Sequence, residues 1–292
     1  MIATRKGSVG LLYMAPALLF VLVFVVVPFV QLVQTSFTDA SLLGGGGFVG
    51  LENFTKAFAD PTFLRALWFT ARYTIIITPI LMGLGFALAL LTAPNRSLEQ
   101  LTRGIVFLPV VIGLGSSSLL WFWLFDQQVG LINRFLVDIH LLVQPMVWFT
   151  KADLVMWAVI ISVTWKVVGF GMILFVAAIQ SINTEITEAA MIDGAGPWQR
   201  VWSILLPLTR RTILLATLIS AIGSMLAFDQ FYIMSGGGPR GQTFTAVYWI
   251  YQQSFISFKL GYGAALSLIL TAIILFFSAI QVFLSNRSPG ND

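Results

Sequence analysis

Long apolar runs constrain this chain more than any other feature. A helix needs about twenty consecutive apolar residues to span the hydrocarbon core of a bilayer. Six stretches reach about that length: Leu11 to Val33, Ala66 to Thr92, Ile105 to Phe125, Leu154 to Ile179, Thr212 to Met234 and Gly263 to Leu284. Of the 292 residues, 58% are hydrophobic and only 10% charged, too few charges to cover a surface facing water. The expected fold is an all-α integral membrane protein with six transmembrane helices. It reads as a single domain over residues 1–292, with no internal repeat and no soluble part. The first run follows Arg5 and Lys6, as a signal peptide would, but it is too long for a signal core and no small-x-small cleavage site follows it. An uncleaved first helix is expected.

Several chemistries are excluded by residue type. There is no cysteine, which removes disulfide scaffolds, thiolate zinc sites and iron–sulfur centres. The lone histidine, His140, rules out any site that needs two imidazoles. No Gly-Lys dipeptide occurs, so there is no Walker A loop and no nucleotide site of that kind. No catalytic residue, metal or cofactor is assigned to the chain.

The short flanks of the spans fix the expected orientation. Arg5, Lys6, Arg96, Arg103, Arg200, Arg210, Arg211 and Arg287 fall in one alternate set of segments. Lys56, Arg134, Lys151, Arg240 and Lys259 are spread over the longer loops of the other set. Positive residues concentrate on the cytoplasmic side, so both termini are expected inside. On the outer side, residues Phe135 to Phe149 suggest a short surface helix, and Gly44 to Gly47 a flexible turn.

Charges within the spans must face protein or water. A charge at bilayer depth costs about 2.5–3.5 kcal/mol even on mild scales. Lys166 lies in the middle of the fourth run and can serve a pathway, snorkel or pair structurally; Asp229, towards the outer part of the fifth, can serve a pathway or sit near the outer headgroups. Arg72, near one end of the second run, reads as a snorkelling or structural charge. Small residues spaced four apart, Gly83 with Ala87, Gly85 with Ala89 and Gly113 with Ser117, allow close helix contact. Pro79 and Pro109 can kink their helices.

The segment from Ser181 to Arg211 is the longest on the inner side. Thr184 or Thr187 can cap a helix that carries Glu185 and Glu188 near its start, where the helix dipole favours acidic groups. Gly194 ends that helix or lets it bend. Pro197 suits the first turn of a second helix with Trp198, Val201, Trp202 and Leu205 on one stripe, and Pro207 is expected to break it. A helix–glycine–helix elbow of this kind suits docking to a cytoplasmic partner. An amphipathic hairpin resting on headgroups accounts for the composition equally well.

The spacing in this loop carries a resemblance. Glu188-Ala189-Ala190, then three residues, Gly194, nine residues and Ile204-x-Leu206-Pro207 resembles without departure the EAA loop of ABC importer permeases. PFVQLVQTSF, FVGLENFTKAF, RGIVFLPVVIGLGSSSLLWFWLF with GLINRFL, and GGGPRGQTFTAVYWIYQQSF extend the resemblance over almost the whole chain, towards the sugar-permease branch. The Gly-Gly-Pro stretch resembles the maltose-, lactose- or glycerol-phosphate-type first permease subunit. This resemblance implies a type I importer permease fold with a cytoplasmic EAA coupling loop, in a bacterial or archaeal cytoplasmic membrane. It implies a homologous second permease, two cytoplasmic ATPase subunits that hold ATP and Mg, and an extracytoplasmic solute-binding protein; nucleic acid has no part. Glu188 then contacts the ATPase, Ala189, Ala190 and Gly194 keep the elbow slim, Asp193 and Arg200 form its polar flank, and Ile204 and Pro207 return the chain to the membrane.

For a sugar solute, aromatic faces and directional hydrogen bonds are needed. Trp121, Trp123, Trp165, Asp229, Gln230 and Tyr232 are suitable in type, with Lys166 as a nearby intramembrane charge. A phosphorylated solute, glycerol 3-phosphate or a glycerophosphodiester, would call for a fixed cation, which Lys166 or Arg72 can supply. An ion-coupled secondary transporter would also use Asp229 and Lys166, but usually shows repeated halves and would leave the EAA loop unexplained.

Overall fold

The computed structural model describes residues 13–94 and 96–286, without the side chains of 284–286. Arg5, Lys6 and Leu11 at one end, and Arg287 and Ser288 at the other, lie outside the described residues. The elements, in chain order, are α1 (Tyr13–Ser36), α2 (Glu52–Ala59), α3 (Pro61–Thr92), α4 (Ser97–Val111), α5 (Leu114–Leu124), α6 (Leu131–Asp138), α7 (Ala152–Gln180), α8 (Thr184–Ile192), α9 (Pro197–Leu208), α10 (Arg210–Met225), α11 (Asp229–Ser235), α12 (Ala246–Tyr251) and α13 (Leu260–Asn286). Helices α1, α3, α7 and α13 are each long and apolar enough to cross a membrane, and the bent pairs α4–α5 and α9–α10 bring the number of such spans to as many as 6. Helix α7 has 29 residues, about 43 Å at 1.5 Å per residue, longer than the hydrocarbon core. The chain is a multi-pass membrane protein.

Two compact units are present: residues up to Pro61 with Ile250–Ala272, and Thr62–Trp249 with the residues from Ile273 onward. In the first unit α1 has no buried residue in its most apolar window. The segment after it is held by Asn53, whose amide donates to the carbonyls of Ser36 at 2.9 Å and Thr38 at 2.8 Å. Ser41 bridges to Lys259, and Gly261 N–H donates to Ala40 O at 3.0 Å. A Cβ at Gly261 would lie 1.8 Å from Thr38 O, so only glycine permits that approach. Tyr262 Oη donates to Asp60 at 2.8 Å, and Lys56 Nζ sits 5.0 Å from the Tyr262 ring centroid.

The core of the second unit forms where α3, α7 and α10 pack around Ala89, Met172, Phe175, Val176 and Ala216. Gly85 brings α3 against the backbone of α7, its would-be Cβ 3.4 Å from Gly171 C and Met172 N. Gly83 meets nothing within 4 Å, and Gly113 sits at a bend.

Prolines act here through π turns. Val27 N–H donates to Leu22 O, and Leu206 N–H to Val201 O, each an i→i−5 bond one residue before a proline, Pro28 and Pro207. The wider turn keeps the residue before each proline bonded, although the proline itself has no N–H. The expected break at Pro207 therefore falls later: the helix continues to Leu208, and the 71° bend to α10 comes at Thr209, whose hydroxyl donates to Leu205 O at 2.7 Å.

The third and fifth apolar runs differ from single helices. The third is α4 and α5, at 99° to each other across Ile112 and Gly113. The fifth is α10 and α11, broken at Leu226–Phe228, where Thr245 Oγ1 donates to Ala227 O at 2.7 Å. Backbone polar groups freed at membrane depth need such partners. The short helix expected from Phe135 begins at Leu131 and stops at Asp138, before His140 at φ 60°. In the turn before it the Asp126 carboxylate accepts from Val129 N and Gln128 N at 2.9 and 2.8 Å; those bonds hold its carboxyl below the usual range.

Candidate functional site

The elbow between α7 and α10 is built by local chemistry. Asn183, rather than Thr184 or Thr187, caps α8: its side-chain oxygen accepts from Glu185 N at 3.1 Å, because Asn183 has the extended backbone an N-cap needs. Thr187 Oγ1 instead turns back to Thr184 O at 2.8 Å. At the other end Ala195 N–H donates to Ala190 O at 2.8 Å and Gly194 N–H to Met191 O at 3.1 Å, with Gly194 at φ +81°. This is a Schellman ending, and it requires a left-handed residue at the position of Gly194. A Cβ there would meet nothing within 4 Å in this chain, so the glycine is demanded by backbone angle, not by crowding.

The surface of this elbow is open. Glu188, Ala189, Asp193, Gly194 and Pro207 are exposed, while Ala190, Arg200 and Ile204 are half-buried. Apolar side chains accompany them: Ile192 is 87% exposed, Trp198 73% and Trp202 62%, and the two indoles lie 6.4 Å apart on α9. Exposed apolar side chains and the exposed carboxylates of Glu185, Glu188 and Asp193 thus share this short segment.

Below the elbow, helix ends are gathered by side chains that sequence patterns did not single out for this role. Arg103 Nε donates to Thr92 O at 2.8 Å, and its Nη2 to Pro94 O at 2.8 Å; Gln180 Nε2 donates to Ala93 O at 2.9 Å. The last carbonyl of α3 and the two that follow it are thus bonded by α4 and by the final residue of α7, four residues before α8. Arg103, an orienting charge by its place in the sequence, also reaches Ala93 O at 3.4 Å, and nothing in its local spacing signals these three carbonyls.

A cavity of about 230 Å³ lies within the second unit, lined among others by Tyr73, Leu114, Val163, Val167, Ser220 and Gln230. Its walls are mostly apolar, but Gln230 Oε1 and Ser220 Oγ are buried without a hydrogen-bond partner. Orphaned acceptors and hydroxyls beside a cavity suit a solute rich in hydroxyl groups. Asp229 precedes Gln230 in the first turn of α11, half-buried, and no cation pairs with it among the described residues. Tyr232 is 43% exposed and stacks on Phe228 at 5.2 Å. Trp165 meets Trp121 edge-on at 5.7 Å, and Trp123 is 68% exposed on α5. Of the aromatic and polar residues singled out from the sequence, only Gln230 lines this cavity.

Lys166 and Arg72, the cations expected within the apolar runs, are both engaged. Lys166 is 7% exposed and donates to Val110 O at 3.2 Å and Ile112 O at 2.5 Å. Arg72 pairs with Asp153 at 2.5 Å.

Beyond α11, the glycine-rich stretch wraps an aromatic ring. Gly236, Gly237 and Gly241 have φ between 57° and 79°, and a Cβ at Gly237 would lie 2.2 Å from the Phe244 ring. Thr243 Oγ1 donates to Gly238 O at 2.7 Å. Asn133 organises the segment after α5: its amide donates to Asp126 O and Met146 O, and its oxygen accepts from Met146 N and Trp148 Nε1, all between 3.0 and 3.1 Å.

The chain has relatives across its length. A family profile described as "Binding-protein-dependent transport system inner membrane component" matches residues 80–288. The sulfoquinovosyl glycerol transport system permease protein SmoG of Agrobacterium fabrum is 32% identical over 94% of this chain and 89% of its own length. The lactose transport system permease protein LacF of Rhizobium radiobacter is 31% identical over 94% of this chain and 93% of its own. The crystal structure of a bacterial ABC transporter involved in the import of the acidic polysaccharide alginate contains a chain with the same fold, at a TM-score of 0.86 and 22% identity, covering 98% of each.

Proposed function

The chain belongs to the family of binding-protein-dependent transport system inner membrane components, and from that premise we propose that it is one membrane subunit of an ATP-driven importer carrying a carbohydrate across the cytoplasmic membrane. It is a transport subunit. Hydrolysis of ATP falls to two cytoplasmic ATPase subunits, a homologous permease completes the pathway, and an extracytoplasmic binding protein delivers the solute. Both termini face the cytoplasm. The carbohydrate class draws support from the sugars named for SmoG and LacF and from the unpartnered polar atoms of Gln230 and Ser220 beside the cavity. Asp229, Gln230, Tyr232 and Trp165 are the residues we assign to the solute path, with Trp123 on a face open to a second subunit. Glycerol 3-phosphate is the second reading, with support from the solute named for UgpA of Brucella abortus; Lys166 and Arg72, the cations suited to a phosphate, are engaged with Ile112 O and Asp153 in this chain.

The observation that carries this reading is the exposed elbow at Glu188–Pro207. In our reading Glu188, Ala189, Ala190, Asp193 and Gly194 enter a cleft of the ATPase. Arg200 flanks them, and Ile204 and Pro207 lead back to the membrane. A charge-assisted hydrogen bond at Glu188 contributes about 1.5–3 kcal/mol, enough to keep a loop docked through each cycle. Glu188→Lys and Gly194→Asp should each reduce copurification of the ATPase subunits and abolish uptake, while the external protein still binds solute. Ser257→Asp, far from the elbow in sequence, should retain the ATPase. Coupled transport at normal rates in both elbow variants would remove the proposal's main support.

A further inference from the structure

Among the described residues Lys166 is the one lysine in the middle of a helix long and apolar enough to cross a membrane, and its partners are backbone carbonyls, not a carboxylate. Those carbonyls belong to the end of α4. Ile112 leaves the helix with ψ 135°, and Gly113 follows in an extended conformation before α5 starts. A helix that ends inside a bilayer leaves its last carbonyls without partners, and each unsatisfied group there costs several kcal/mol. The ammonium of Lys166 meets this need: it donates to carbonyls on either side of Val111, and its positive charge faces the negative end of the α4 dipole.

The same face of α7 also fixes the distance. Gly169, three residues on, lies so close to α4 that a Cβ would sit 2.4 Å from Val106 O and 2.9 Å from Phe107 Cα. Backbone-level contact at Gly169 and two hydrogen bonds at Lys166 therefore hold α4 along α7 up to the point where the chain turns through 99°. Leu114, the first residue after the turn, lines the cavity of about 230 Å³, as do Val163 and Val167 on either side of Lys166. The bend thus sets part of the cavity wall.

We propose that Lys166 is a positioning residue for transport: it pins the break between α4 and α5 and so places Leu114 and the following helix at the solute cavity, without touching the solute. A pin and a solute contact make different predictions. Loss of a pin changes the bend and lowers the maximal transport rate. Loss of a solute contact leaves the bend alone and raises the KM.

The chain contains no cysteine, so a spin-label pair can be introduced at Leu101 and Leu120, both exposed, in the complete transporter reconstituted with its binding protein. Lys166→Met should shift or broaden the label distance and lower the maximal uptake rate about tenfold, the scale of losing hydrogen bonds to a charged group, with the KM unchanged. Lys166→Arg, which keeps a cation with several donors, should preserve the distance and recover at least half of the rate. An unchanged distance in Lys166→Met, or a raised KM at a normal rate, would overturn the proposal. If Lys166→Met fails to assemble, Lys166→Arg decides alone: assembly with a native distance and no uptake would refute the pin. The uptake arm rests on the importer reading, whereas the label distance does not, so the two can fail separately.

Discussion

Gly169 and Val106 approach so closely that a Cβ on the glycine would lie 2.4 Å from the valine's carbonyl oxygen. Real side-chain carbons do not tolerate that separation from backbone, so α4 and α7 must part if Gly169 is replaced. Hydrophobic association does not hold helices together in lipid, and packing at small residues does much of that work. Gly169→Val should therefore destabilise the purified protein by about 1–3 kcal/mol, read as a lower midpoint in detergent thermal unfolding. Gly83→Val, where a Cβ meets nothing, should leave the midpoint unchanged; equal effects at the two sites would contradict this packing.

Arg103 and Gln180 hold the carbonyls at the end of α3 from two different helices. Removing Arg103 exposes several acceptors at once, with an expected cost of about 1–3 kcal/mol. Because Gln180 lies just before the elbow, Arg103→Leu should also loosen the link between the elbow and the membrane helices. We expect ATP hydrolysis in the assembled transporter to become less dependent on the binding protein. The double variant with Gln180→Leu should be less than additive, since both act on one carbonyl cluster. Full additivity would show that the two side chains act independently.

Asp229 begins α11 next to Gln230, whose Oε1 has no partner. Asp229→Asn keeps the shape and removes the charge. Uptake should fall several-fold, while ATP hydrolysis stimulated by the binding protein persists. Wild-type uptake in this variant would leave Asp229 a structural residue at a helix start.

Orientation is tested by membrane-impermeant labelling of single introduced cysteines. Sites at Ser97 and Trp198 should be protected in intact cells, and sites at Gly45 and Asp138 labelled, as the arginine distribution requires. A site at Ser288, outside the described residues, should also be protected, and one at Gly241 labelled. A Trp198 site labelled from outside would overturn the topology and the elbow's docking role together.

Much of this architecture is written locally. Apolar length is a property of consecutive residues, so the spans at α1, α3, α7 and α13 can be read off the chain directly. The elbow is similarly local: a polar cap, alanines, a glycine and a proline follow within about twenty residues, and each acts on backbone a few positions away. The spacing points to Thr184 or Thr187 as cap, but Asn183 takes the role, because it is the residue whose backbone leaves the helix there.

The breaks are another matter. Nothing between Ile105 and Phe125 says that the helix stops at Val111, since Pro109 and Gly113 are tolerated in continuous membrane helices as well. At the turn Lys166, distant in sequence, brings its ammonium to Ile112 O at 2.5 Å. Leu226 to Phe228 contain no breaker at all, and the gap there is bridged by the hydroxyl of Thr245. Sequence alone determined which segments enter the membrane and where the chain offers an elbow, because hydrophobic length and helix capping are short-range. Tertiary structure decided where the spans bend and which carbonyls Lys166 meets, because in a bilayer a broken backbone survives only where another part of the protein supplies its hydrogen bonds.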